Sequence, residues 1–311
     1  MLLSLVVPCF NEEKSIILFF DEIYNVLNEL DMDWEIIFVN DGSRDNTLAI
    51  IKDLSNKFKS IKYISFSRNF GKEAALCAGL NKSKGDYVVV IDVDLQDPPS
   101  LLPEMLNIIK TEDYDIVATR RVSRKGEPFI RSIFARLFYK FINSFSEIHL
   151  VDGARDYRLM TRQVIDSILE LDEYNRFSKG LFEWVGFKTK WIEYENIERA
   201  VGETSWSFWS LFRYSIDAIV SFSTVPLSIS TFFGVLFSIM SFILILIVVI
   251  KNIFYNNPVP GWPSTICIIL LIGGIQLFSI GILGKYLEKT YIETKNRPIF
   301  IIKETNIDDD Q

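Results

Sequence analysis

Read for the spacing of its apolar positions, the chain opens as an alternation of two kinds of segment. Short, continuous apolar runs at Leu2 to Val7, Glu35 to Val39, Ile61 to Phe66, Tyr87 to Ile91 and Asp115 to Ala118 predict strands. Between them, Ser15 to Leu30, Asn46 to Phe58, Glu73 to Leu80 and Leu101 to Lys110 carry apolar residues at helical spacing. Strands that are apolar throughout, instead of at every second residue, are covered on both faces, so the pattern predicts an α/β domain with a mostly parallel sheet. Ligands of such sheets bind beyond the carboxyl ends of the strands, which directs attention to the polar residues after each run. The opening MLLSLVVPCFNEE is the first strand and not a signal peptide, because no basic residue precedes the apolar run and Pro8 interrupts it.

After Ala118 the pattern changes. A basic cluster, Arg120, Arg121, Arg124 and Lys125, leads into Pro128 to Phe145, where Phe129, Ile133, Phe134, Leu137, Phe138, Phe141 and Phe145 recur at helical spacing beside Arg131, Arg136 and Lys140. Such a helix either packs its apolar face into the domain or lies in a membrane interface, and a nearly uncharged segment further along the chain favours the interface. Between Pro226 and Leu287 only Lys251 and Lys285 carry charge. Residues 226–250 form an uncharged run about 37 Å long as a helix, against a hydrocarbon core of about 30 Å, and residues 263–285, uncharged as far as Gly284, form a second span. Trp206, Trp209 and Tyr214 precede the first run, and Lys289, Lys295 and Arg297 come after the second, an asymmetry that places both ends in the cytoplasm. The expected division is a catalytic domain at 1–205 containing an interfacial segment at 120–145, a juxtamembrane helix at 206–225, a two-helix transmembrane hairpin at 226–287 and a cytoplasmic tail at 288–311.

Composition narrows the chemistry. Lys and Arg number 33 against 40 Asp and Glu, a net charge of −7 that excludes a basic nucleic-acid binder. Cys9, Cys77 and Cys267 lack CxxC spacing and suit reduced thiols. The single histidine, His149, leaves no material for a His-ligated zinc site or a Ser/His/Asp triad, so any metal is held by oxygen.

Four polar motifs sit at the predicted strand ends. In VIDVDLQDPP, Asp92, Asp94 and Gln96 alternate after a strand, and in an extended segment they project to one side as oxygen ligands for Mg²⁺ or Mn²⁺ on a diphosphate. In NDGS, Asp41 is a candidate acceptor for a uracil or ribose, or else part of a turn that caps the next helix. Pro8, Phe10 and Glu12 end the first strand. SRNFGKEAA brings Arg68 and Lys72 to a loop entering a helix, an arrangement suited to phosphate.

Taken in order, VVPCFNEE, NDGSRDNT, FSRNFGKEAAL, DVDLQDPP and DYRLM resemble the motifs of family 2 glycosyltransferases of the polyprenyl-phosphate sugar synthase type, which includes dolichyl-phosphate mannose synthase. The C-terminal hairpin and GKYLEKTYIETKNRPIFII resemble its bacterial undecaprenyl-phosphate branch. The resemblance implies a GT-A nucleotide-diphospho-sugar transferase fold, with Asp92, Asp94 and Gln96 on the metal and Pro8, Glu12 and Asp41 lining the nucleoside. It also implies Arg121 and Arg131 on the lipid phosphate, with Arg120 and Arg136 as neighbours. Asp156 matches the acidic residue near the transferred sugar, and Asp152 is its nearest competitor. Where the family often has Lys, after Arg199-Ala200-Val201-Gly202-Glu203-Thr204, this chain has Ser205, so another cation must take that lysine's part.

The activity implied is inverting transfer of a hexose, glucose or N-acetylglucosamine, from a UDP-sugar to undecaprenyl phosphate at the cytoplasmic face of the membrane. A homo-oligomer, a lipid-sugar flippase and a downstream transferase are further partners implied by the resemblance. A processive polysaccharide synthase would need more spanning helices and a QxxRW-like motif, which the chain lacks. A catalytically inactive membrane-anchored scaffold would have no use for Asp92, Asp94 and Asp156. A soluble piece ending near Phe222 is expected to lose transfer to lipid more than it loses UDP-sugar binding.

Overall fold

A computed structural model describes residues 1–122, 143, 151–195, 219–221, 223–255 and 261–308. The proposed interfacial helix, with Arg131 and Arg136, lies outside them apart from Asn143, as do Arg199, Ser205 and most of the juxtamembrane segment.

The alternating part folds as its pattern requires. Strands β1 (Leu2–Cys9), β2 (Asp33–Asn40), β3 (Ile61–Phe66), β4 (Tyr87–Val90) and β5 (Ile116–Arg121) alternate with helices α1 (Ile16–Asn28), α2 (Thr47–Lys57), α3 (Lys72–Lys82) and α4 (Leu102–Thr111). Then come β6 (Ala154–Thr161), α5 (Arg162–Leu169), α6 (Ser178–Trp184) and β7 (Thr189–Tyr194). Two long helices come next, α7 (Val225–Tyr255) and α8 (Trp262–Thr294), and the last described element is β8 (Ile302–Thr305). The strands form a single sheet in the order β7-β5-β6-β4-β1-β2-β3-β8. β1 pairs in parallel with β2 and β4, β2 with β3, and β5 with β7, while β6 and β8 run antiparallel to their neighbours.

The chain builds outward from β1 through β2 to β3 and then returns to lay β4 on the other side of β1. Beyond the carboxyl ends of β1 and β4 it therefore leaves a crevice of the kind that holds ligands in open α/β sheets. One face of the sheet is covered by an apolar core that includes Phe19, Ile23, Phe38, Ile51 and Met105, and the other by clusters around Leu76, Leu80, Met160 and Phe182 and around Phe66, Ala75 and Ala78. Helix α3 lies unusually close to the sheet. A Cβ on Gly79 would stand 2.3 Å from Val6 Cγ1, so only glycine permits this approach, which sets where the first residue of α3, Lys72, emerges.

Two features were not in the sequence pattern. Antiparallel β6 is inserted between β4 and β5, although it comes after β5 in the chain. The register pairs Val90 with Arg158, so carrying it two residues further sets Asp92 opposite Asp156. The second feature concerns the C-terminal segment. The C-terminal segment is not a detached tail, because β8 adds the eighth strand along β3. Phe300 stacks on Phe66 with ring centroids 5.1 Å apart, Ser67 N–H donates to Ile301 O at 3.0 Å, and Lys52 pairs with Glu304 at 2.6 Å. A chain stopped near Phe222 would lose this strand as well as the two long helices.

Helices α7 and α8 touch one another and expose apolar side chains such as Phe232, Phe242, Leu277 and Phe278. Among the described residues, Val225–Leu244 is long and apolar enough to cross a membrane. At the other end α8 is fastened to soluble parts of the chain. Tyr286 donates to Ser223 O at 2.5 Å, and the Glu293 carboxylate accepts the N–H groups of Tyr174 at 3.1 Å and Asn175 at 3.4 Å.

Candidate active site

The loops after β1 and β2 hold each other in place. Asn11, in the left-handed region with φ 56°, donates its N–H to Ser43 Oγ at 2.9 Å and accepts the Arg44 N–H at 2.9 Å. Glu12 N–H donates to Thr47 Oγ1 at 2.8 Å, and the Glu12 carboxylate accepts the Ser15 hydroxyl at 2.7 Å. Pro8 is half-buried beside them and Phe10 is 43% exposed at the rim.

Asp41 is buried, and its two oxygens accept the N–H groups of Phe70 at 2.6 Å and Gly71 at 2.9 Å. Burial pushes its pKa up, against the opposing pull of those two bonds and of Arg68. In this geometry Asp41 organises the loop that leads to Lys72. Gly42, at φ 65°, completes the junction, since a Cβ there would stand 2.4 Å from the Arg68 carbonyl carbon.

The centre of the site is Lys72. Its ammonium lies 2.7 Å from Asp92 and 2.6 Å from Asp156, bridging the two carboxylates that the β4–β6 register brings together. Burial works against charge on Lys72, but Asp156 and Asp92 outweigh it and hold the pKa well above the ordinary lysine value. Burial likewise opposes ionisation of Asp156. Lys72, Lys179 and Arg158 overcome it and keep this carboxyl well below the usual range. Asp92 goes the other way, raised by burial and by the nearby Asp156 and Asp97 despite Lys72.

The DVDLQDPP segment differs from the extended ladder expected of it. β4 ends at Val90, the chain turns, and Leu95 takes φ 57°. The turn breaks the every-second-residue geometry, so Asp92, Asp94 and Gln96 do not project as one row. Asp94 accepts the Gln96 N–H at 3.1 Å, and Gln96 Oε1 accepts Arg121 Nη2 at 3.0 Å. Asp97, fully buried, accepts Arg155 Nε at 2.8 Å and the Tyr194 hydroxyl, which fastens the turn to β6 and β7.

Among the described residues no group of three or more His, Cys, Asp or Glu is arranged to hold a metal ion. The donors that are present still suit a hard cation. Mg²⁺ is commonly bound through one or two carboxylates plus substrate phosphates, and Asp92 and Asp94 supply carboxylates at the mouth of the crevice.

Of the other expected residues, Arg121 touches the acidic turn, whereas Arg120 pairs with Glu193 on β7. Asp152 lies on the short approach to β6, outside the bridge that Asp156 makes with Lys72.

The model of glycosyl transferase family 2 matches residues 4–169, from β1 through α5 and including every carboxylate of this bridge. The chain belongs to glycosyl transferase family 2. It is 45% identical over 306 residues to CsbB of Bacillus subtilis (strain 168), covering 98% of this chain and 92% of that one. It is 41% identical over 303 residues to the prophage bactoprenol glucosyl transferase homolog of Escherichia coli (strain K12), covering 97% and 99%. A solved structure of glucosyl-3-phosphoglycerate synthase from Mycobacterium tuberculosis, in complex with Mn²⁺, UDP-glucose and phosphoglyceric acid, is similar with a TM-score of 0.47 and 21% identity, over 70% of this chain and 77% of that one. The protein is thus a glycosyltransferase whose α/β domain is built on a mostly parallel sheet.

For this family 2 transferase the motifs left several site residues unread. Lys179 donates to Ala154 O at 3.0 Å and lies 4.0 Å from Asp156 Oδ1. Arg158, almost wholly buried, has its guanidinium carbon 4.2 Å from the centre of the Phe182 ring. Arg155 and Tyr194 act through Asp97. Only Asp156 and Arg158, two apart on a strand, shared a signal that period-2 spacing could have exposed; Lys179 reaches the site by tertiary packing alone.

Proposed function

We propose that this transferase moves glucose from UDP-glucose to undecaprenyl phosphate, with inversion at the anomeric carbon. The observation that carries the reading is the Asp92–Lys72–Asp156 bridge, with Arg121 bonded to Gln96 of the turn that follows Asp92. It occurs in a chain 41% identical, over nearly its whole length, to a relative named a bactoprenol glucosyl transferase homolog. That name favours glucose over N-acetylglucosamine.

In this reading the loops carrying Pro8, Phe10, Glu12 and Asp41 receive the nucleoside. Asp92 and Asp94 would hold Mg²⁺ or Mn²⁺, with Gln96 presented by Arg121. The ion, when bound, supplies positive charge for the departing diphosphate. Lys72 adds a second cation on the donor side. Arg120 and Arg121 are the described members of the acceptor-phosphate set, and Arg131 and Arg136 complete it. The acceptor is a phosphate monoester whose second pKa is about 6, so near neutrality it is already largely a dianionic nucleophile. Asp156, held ionised by its cations, is a weak base and instead orients the sugar and the cations around it.

The same reading places α7 and α8 across the membrane as a hairpin, with both termini and the sheet on the cytoplasmic side. α8 is uncharged from Trp262 to Gly284 and exposes Ile269, Leu271, Leu277 and Phe278 along that length. A long polyprenyl chain leaves lipid at a cost of about 0.8 kcal/mol per CH₂, so the site must come to the bilayer.

The direct test is purified protein, undecaprenyl phosphate and a panel of UDP-sugars. UDP release is expected with UDP-glucose, in the presence of Mg²⁺ or Mn²⁺, and only when the lipid phosphate is supplied. Release without lipid would favour another acceptor, and a polymeric product would favour a processive synthase. Asp156→Asn is expected to lower kcat by about 10²-fold, the cost of misplacing reacting groups, with no recovery at high pH. In both forms kcat/KM should fall below about pH 6, as the acceptor takes up its second proton. Rescue of the variant by raising the pH would assign Asp156 the role of base.

A further inference from the structure

Given lipid phosphate as the acceptor, on which this inference rests, we propose that Lys179 is an acceptor-side cation, binding that phosphate between Asp156 and the arginine end of β5. Three observations converge on it. The Lys179 ammonium donates to Ala154 O at 3.0 Å, and Ala154 is the register partner of Arg120 across the β5–β6 pair. Gly153, one residue earlier, accepts the N–H of Arg121 at 3.0 Å. Lys179 therefore sits against the part of β6 that adjoins both arginines and faces Asp156 Oδ1, whereas Lys72, which also holds Asp92, takes Oδ2.

The second observation is how firmly the lysine is held. Glu73, the residue after Lys72, accepts both the N–H of Ser178, at 2.9 Å, and its hydroxyl. This carboxylate ties the start of α6 to the start of α3, so Lys72 and Lys179 approach Asp156 from neighbouring helices. The third is how lightly the ammonium is engaged. Lys72 spans two carboxylates at 2.6 and 2.7 Å, whereas Lys179 has one backbone acceptor and a carboxylate 4.0 Å away, and its side chain remains 28% exposed. An ammonium carries three donors, so this one can turn to an anion without breaking a short ion pair.

A division of labour results from this placement. Lys72, against Asp92, serves the leaving diphosphate, and Lys179, beside the arginines, holds the attacking phosphate at the anomeric carbon.

The test compares wild type, Lys179→Ala and Lys179→Arg in detergent, with undecaprenyl phosphate and UDP-glucose varied in turn. Loss of one hydrogen bond to a charged group predicts a rise of about tenfold or more in KM for undecaprenyl phosphate in Lys179→Ala. KM for UDP-glucose and the affinity for UDP should stay within about twofold of wild type, and Lys179→Arg should recover part of the acceptor affinity. A rise confined to the UDP-glucose KM, or no change in either constant, overturns the assignment. If Lys179→Ala does not fold, Lys179→Gln is measured in its place, and the same two constants decide. Absence of wild-type turnover on undecaprenyl phosphate would instead overturn the proposed reaction itself, before any variant is compared.

Discussion

A chain ending at Arg297, with both long helices intact, is expected to lose UDP-sugar binding as well as transfer. The residues removed lie outside every motif of the nucleotide site, yet they finish its sheet. Ile299, Phe300, Ile302 and Ile307 pack against the cluster of Ile37, Val39, Ile64, Phe66 and Ala75. Burying an aliphatic or aromatic side chain fully is worth roughly 1.5–3 kcal/mol, and these four are partly buried, so their joint loss is on the order of several kcal/mol. That is a large share of a domain stability of about 5–15 kcal/mol. β8 also pairs with β3, whose end runs directly into Arg68 to Lys72, so the lysine-bearing loop loses its support first. UDP binding by calorimetry on the membrane-extracted protein checks this. Wild-type affinity in the shortened chain would show that the sheet holds the loop without β8.

Lys72→Met is the second variant with a large expected effect. It leaves Asp92 and Asp156, now facing each other, without the ammonium that separates them. Two carboxylates so placed cannot both stay ionised easily, so one takes up a proton and the site loses both its central cation and one carboxylate anion. A loss of about 10²–10³ in kcat/KM for UDP-glucose is expected, the scale seen when one preorganised electrostatic group is removed from an active site. Lys72→Arg should keep part of the activity, because a cation still joins the pair. Steady-state kinetics decide the matter, and a methionine variant within a few fold of wild type would remove Lys72 from the catalytic machinery.

The fold was legible wherever burial left a continuous apolar run. β1 to β5 and the helices between them appear within a few residues of their expected limits, because a strand covered on both faces is mostly apolar on both. β6 could not be placed that way. Its position between β4 and β5 depends on an antiparallel return after a stretch of more than thirty residues, and nothing in ARDYRLM states which strand it will join. The same gap hid the centre of the site. Asp92 and Lys72 were picked out at separate strand ends, but their convergence with Asp156 is a matter of register between β4 and β6. Asp41 illustrates a different limit. Its position at a strand end was readable, while its two backbone donors, Phe70 and Gly71, come from a loop some thirty residues away. The turn at Leu95 was concealed because alternating Asp and Gln look the same in an extended segment and in one that folds back.

In the proposed membrane arrangement, the length of α8 acts as a ruler between lipid and chemistry. The helix runs unbroken for 33 residues, about 50 Å, from Trp262 to Thr294, and hands over within a few residues to the strand beside β3. With its apolar part in the bilayer, each residue added between Lys285 and Glu293 would lift the sheet by about 1.5 Å and swing it by about 100° about the helix axis. In that arrangement the depth and the heading of Lys72 relative to the membrane plane follow from a residue count far from the crevice itself.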